Sequence, residues 1–128
     1  MTNQPQPPRV FVYGTLLQKP VVQNILGYTP EGEDALLNHY HRRALAGRHY
    51  PGIAPADADT VKGLLYPLQQ ERDLNLLDDY EGDEYDRITE YVTLTGKSTG
   101  DSLLSWVYVI RPTYRHLLLS HDWAPHRF

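Results

Sequence analysis

"RVFVYGTLL", residues 9–17, sets the frame for the chain. Its first five residues are largely β-branched or aromatic and break off at Gly14, which predicts a strand running into a tight loop. The next segment, "KPVVQNIL" at 19–26, predicts a helix, with Pro20 tolerated in its first turn and Gly27 ending it. Upstream, "MTNQPQPP" is polar and proline-rich, so residues 1–8 are expected to form a disordered tail and residues 9–128 a single domain.

Working outward, residues 39–46 read as a strand, and "GRHYPGIAPADAD", 47–59, as a loop with three stop signals. "TVKGLLYPL", 60–68, reads as a strand. "QERDLNLLDDY", 70–80, puts Leu74, Leu77 and Tyr80 on one helical face, closed by Gly82. "DRITEYVTL" and "LLSWVYVI" read as strands joined by the hairpin-like "TGKSTGDS", and "TYRHLLLSHDW" as a short helix. Five strands with two or three helices in non-alternating order predict an α+β fold, as a curved sheet or small barrel rather than a doubly wound sheet.

A chain of 128 residues is long enough to bury roughly two thirds of its unfolded surface and to support a pocket without disulfides. There is no cysteine, no membrane-length apolar run and no charged-then-apolar leader, which sets a cytoplasmic expectation. A net charge of −4 with scattered Lys and Arg argues against nucleic acid as a partner. Ten tyrosines against two phenylalanines supply many hydroxyls that need partners when buried.

The acidic run "LLDDYEGDEYDR", 76–87, lacks the carboxylate spacing of an EF-hand calcium loop. Asp78 or Asp79, Asp83 and Glu84 fit a solvated helix end. Glu81 differs: it stands at the helix end, four residues after core-facing Leu77, where one carboxylate can be aimed inward. "TGKSTG" lacks the first glycine of a phosphate-binding loop, since Tyr91 stands there. His39 and His41 share a strand face without a third ligand at a persuasive spacing, so no metal site is expected. Ser102, Ser105 and Ser120 have no nucleophile-elbow context, and a thiol nucleophile is excluded.

Taken together, "FVYGTLL", "YPGI" followed by "VKGLLYPL", and "LDDYEGDEYDR" resemble, in this order, the γ-glutamylcyclotransferase-like superfamily and in particular its AIG-type branch. The resemblance covers residues 9 to about 110. It implies a small mixed β-barrel with flanking helices and no cofactor. It implies that Tyr13, Gly14, Thr15 and Leu16 form an anion- and substrate-binding rim, that Glu81 is the catalytic acid/base, and that Tyr85 lines the pocket. Tyr114 is a candidate for a second pocket tyrosine, and Arg87 for either substrate contact or a structural ion pair. The implied substrate is a small γ-glutamyl amine or amide, whose α-amine attacks its own side-chain carbonyl to give 5-oxoproline and a free amine. The alternative is a non-catalytic small-molecule-binding module, or a relative recruited to other chemistry. Oligomeric state stays open, and the leaving amine is expected to meet residues 47–59 and the C-terminal segment.

Overall fold

A computed structural model describes residues 4–96 and 100–124. Five strands among them, β1 (Arg9–Val12), β2 (Glu33–Ala44), β3 (Pro51–Pro67), β4 (Tyr85–Leu94) and β5 (Ser102–Ile110), close into a barrel in the order β1-β3-β2-β4-β5. Closure comes from a short parallel pairing of β1 with β5, Val10 opposite Trp106 and Phe11 opposite Val107. All other pairs are antiparallel, so the barrel is mixed. Two α-helices flank it, α1 (Lys19–Leu26) and α2 (Asp73–Glu81), with short 3₁₀ segments at Thr15–Leu17 and Pro112–Leu117.

The two-residue period of a strand sorts the apolar side chains into two cores. Phe11, Leu37, Ile53, Val61, Val92 and Val107, drawn from all five strands, fill the barrel interior. Val10 and Val12, pointing the other way from β1, pack under the helices with Val22, Leu74 and Leu77. At about 25 cal/mol per Å² of apolar surface removed from water, such burial is the main force holding both helices to the barrel. Where β1 crosses β3, only glycine fits: a Cβ on Gly63 would stand 2.1 Å from the Val12 carbonyl oxygen.

Several expectations need correction. The segment expected to be a loop over 47–59 is mostly strand, because β3 begins at Pro51 and runs 17 residues. The strand signal is masked by Pro55, which lacks an N–H. It is accommodated opposite Tyr40, where the β2–β3 register shifts and His39 adopts φ 71°. That bulge also breaks the alternation that would have put His39 and His41 on one face. The His39 ring shares a 2.9 Å hydrogen bond with the Asp57 carbonyl, while His41 lies 3.7 Å from Asp59. Among the described residues no group of three metal-ligating side chains comes together.

β2 begins at Glu33, six residues before the expected strand. Helix α2 buries Leu74 and Leu77 as expected, but Tyr80 is 44% exposed. Residues 1–3 of the expected tail lie outside the described residues, whereas Pro5 is buried and Pro8 accepts a 2.9 Å hydrogen bond from the Leu68 N–H. Of the "TGKSTGDS" connection, residues 97–99 lie outside the described residues. Its flanks pair as a hairpin, Thr93 opposite Ser102. Among the described residues no helix is long and apolar enough to cross a membrane.

Candidate active site

At the end of β1 the chain leaves the barrel rim and is pinned from several sides. The Tyr13 ring is buried, its hydroxyl donates to the Tyr108 carbonyl at 2.5 Å, and its own carbonyl accepts from Arg42 at 2.8 Å. Burial pushes the Tyr13 hydroxyl well above the ordinary tyrosine range, so it stays a donor. Gly14 is required by close approach, since a Cβ there would lie 2.8 Å from the Pro51 ring. Leu16 is buried, and its carbonyl accepts a 2.8 Å bond from the Tyr66 hydroxyl. The Thr15 hydroxyl meets the Tyr80 hydroxyl at 2.9 Å. The Leu17 N–H returns to the Gly14 carbonyl, but among the described residues no acceptor serves the N–H groups of Gly14, Thr15 and Leu16.

Glu81 reaches the same place from α2. It closes the helix one turn after buried Leu77, and Gly82, at φ 78°, turns the chain away immediately afterwards. Its carboxyl joins the loop around a narrow recess, lined by residues 11–16 together with Tyr50, Pro51, Glu81, Tyr85 and Tyr108. By exposed area Glu81 is only partly covered, but its carboxyl is packed inside the recess. Burial, followed by the nearby Asp78 charge, pushes its pKa up to about 8. No described residue hydrogen-bonds or ion-pairs with it.

The aromatic walls have partners elsewhere. Tyr85 donates to the Pro51 carbonyl at 2.5 Å, Tyr50 to Glu84 at 2.5 Å, and Tyr108 to Asp78 at 2.6 Å. Burial first, and neighbouring carboxylates after it, raise the pKa of Tyr85 and of Tyr108 far above the usual value. What remains uncommitted in the recess is one carboxyl and a row of backbone donors, an arrangement that can hold a small ligand bearing both a cation and an anion or carbonyl oxygen.

The family profile described as gamma-glutamyl cyclotransferase, AIG2-like, matches residues 10–125. The chain belongs to that family. The Arabidopsis thaliana relative named AIG2-like protein D is 39% identical over 100 residues, covering 78% of this chain and 65% of its own length. This member of the family spans between about half and two thirds of the length of the first three curated relatives it matches. A solution structure from Arabidopsis thaliana superposes with a TM-score of 0.72 at 30% identity, covering 84% of this chain and 73% of that one. A structure titled gamma-glutamyl cyclotransferase superposes with a TM-score of 0.69, covering 86% and 75%. Its 17% identity makes that a likeness of fold.

Within this family member, Tyr13, Gly14, Thr15, Leu16, Glu81 and Tyr85 all border one recess. Sequence reasoning missed Tyr50, Pro51 and Tyr108. The first two lie inside the quoted "YPGI" and carried a usable signal, whereas Tyr108 is placed by the β4–β5 register alone. Tyr114 is not among the lining residues; it sits on the 3₁₀ segment and packs against the outer core. Arg87 is a structural partner, bound to Asp78 at 2.8 and 3.2 Å with its guanidinium 4.2 Å from the Trp106 ring centroid. Glu84, expected to be solvated, is 16% exposed and bound to Arg48 at 2.6 Å as well as to Tyr50; the hydrogen bond from Tyr50, ahead of that from Arg48, holds its carboxyl below the usual range. Asp78 is likewise committed to partners, while Asp79 and Asp83 face solvent.

Proposed function

We propose that this chain is a cofactor-independent γ-glutamylcyclotransferase, releasing 5-oxoproline from a small γ-glutamyl amine or amide. The observation that carries the reading is the pairing, across one narrow recess, of the unpartnered Glu81 carboxyl with the free N–H groups of residues 14–16.

The substrate's α-ammonium sits against Glu81, and its opposite charge favours the ionised carboxylate despite the raised pKa. Glu81 takes a proton from the ammonium, and the freed amine attacks the γ-carbonyl carbon, forming the ring C–N bond. Holding the chain folded back supplies much of the rate, because closure is intramolecular and the entropy is lost on binding. The loop N–H groups meet either the carbonyl oxygen as it gains negative charge or the α-carboxylate. Glu81 then returns the proton to the departing nitrogen as the old amide bond breaks, takes the second proton from the ring nitrogen and passes it to the released amine, giving 5-oxoproline, an ammonium product and the starting carboxylate. The tyrosine walls limit water and fix the fold of the chain. A carboxyl with a pKa near 8 suits this double role, since acid–base transfer is most efficient when the group titrates near the working pH.

The test is 5-oxoproline release across a panel of γ-glutamyl amines, dipeptides and ε-lysine conjugates. Release from at least one class, abolished in Glu81→Gln, is the expected result. Saturable binding without release across the panel would replace the enzyme by a binding module using the same recess.

A further inference from the structure

One turn before Glu81 on the same helix stands a carboxylate that does not line the recess yet draws together three elements around it. Asp78 receives Nε and Nη2 of Arg87 from β4 and the Tyr108 hydroxyl from β5. Tyr108 in turn accepts the Tyr13 hydroxyl on its backbone carbonyl. One strand residue thus grips the helix bearing Glu81 with its side chain and the substrate loop with its main chain. The Asp78 side chain is 38% exposed, where an ion pair contributes little to stability. Stability alone is therefore a weak reason for three converging donors.

We propose that Asp78 is a positioning residue for Glu81, and that its ion pair with Arg87 sets the electrical environment in which Glu81 holds and yields its proton. The inference rests on the reading of Glu81 as acid/base. The groups facing that carboxyl are few. Tyr13 directly follows β1, Tyr85 opens β4 and Tyr108 lies on β5, with Tyr50 just before β3, and all four hydroxyls are neutral in the working range. Arg42 from β2 is directed at the Tyr13 carbonyl, and Glu84 is already matched by Arg48. Asp78 is the carboxylate that adds to the effect of burial on Glu81, and Arg87, ion-paired with it at 2.8 Å, is its counter-charge.

Removing either partner breaks the same contact but leaves opposite charges behind, and this separates an electrostatic role from a mechanical one. Asp78→Asn keeps an acceptor for Tyr108 and strips the anion beside Glu81. Arg87→Met keeps apolar length over Trp106 and leaves Asp78 uncompensated. The Glu81 carboxyl is followed by NMR in ¹³C-glutamate-labelled protein, its signal assigned by its loss in Glu81→Gln, alongside the acid limb of kcat/KM. The titration midpoint is expected to fall below the parent's in Asp78→Asn and to rise above it in Arg87→Met, with Arg87→Lys returning towards the parent. The acid limb is expected to move the same way in each. Shifts of one sign in both variants, or none, overturn the proposal. Should Asp78→Asn fail to fold, Arg87→Met decides alone: a rise supports the proposal, and no change or a fall overturns it. The NMR arm needs no turnover, so a chain that releases no 5-oxoproline would sink the enzymatic reading while still testing the coupling.

Discussion

Glu81→Gln keeps the size and reach of the side chain and removes its ability to ionise, and the structure gives it two separable consequences. The first is kinetic: losing general acid–base assistance costs about 10²- to 10⁴-fold in turnover, with substrate binding retained. The second is a gain in stability. A carboxyl whose pKa is about 8 in the folded chain and 4.5 when unfolded contributes stability that is fully present below 4.5 and lost as pH rises through 8. At about 1.4 kcal/mol per pH unit, the difference between the extremes is roughly 5 kcal/mol, and about 3 kcal/mol of it has gone by pH 7. Glutamine carries no such penalty. The variant should therefore match the parent's thermal midpoint near pH 4 and exceed it increasingly to pH 9, by on the order of 10 °C at pH 7 for a domain of this size. Product release and scanning calorimetry across pH 4–9 measure both effects. Asp79→Asn, on the same helix and facing solvent, is the control and should follow the parent in both. Equal turnover in Glu81→Gln and parent would refute the mechanism; a midpoint difference that does not change with pH would refute the buried, uncompensated state of the carboxyl.

Gly14→Ala drives a methyl into the Pro51 ring and should cost about 1–3 kcal/mol in urea melts along with most of the turnover. Glu84→Gln should raise KM more than it lowers kcat, because it loosens Tyr50. The parent's Glu84, with its pKa lowered, contributes stability present above the unfolded value and lost as pH falls through the folded one, so the variant's deficit in thermal midpoint should shrink on acidification. Activity should survive chelators, and complete loss on chelation restored by zinc would reinstate a role for His39 and His41.

How far the sequence disclosed this arrangement depended on what signalled each part. Helix α1 was legible to the residue because Pro20 and Gly27 mark both ends by backbone chemistry, and β1, β4 and β5 because their β-branched and aromatic runs match a half-buried sheet. The first half of β2 and of β3 was not. "EDALLN" and "GIAPADAD" carry the acids, alanines and proline of a loop, and their strand character comes from pairing, the first with residues 60–65 of β3 and the second with residues 40–43 of β2, on either side of the bulge at His39. At the site, Glu81 and the Tyr13–Leu16 loop announced themselves through motif and position. The commitments of Glu84 and Asp78 did not, because Arg48, Tyr50, Arg87 and Tyr108 are brought to them only by tertiary folding.

The parallel seam between β1 and β5 bears on how the chain comes to be made. The first strand waits nearly a hundred residues for its second neighbour, since Phe11 pairs with Val107. Contacts so distant in sequence carry a loop-closure cost before they return anything, and they slow folding. During synthesis the loop at 13–16 therefore leaves the ribosome long before the strand that pins it, and no N-terminal fragment ending short of β5 contains Tyr108 to hold Tyr13 and Asp78 together. Ligand binding then becomes a late event, reserved for chains whose barrel has closed, and any ligand present at that moment acts on the final step of folding, drawing the finished barrel out of the open ensemble by mass action.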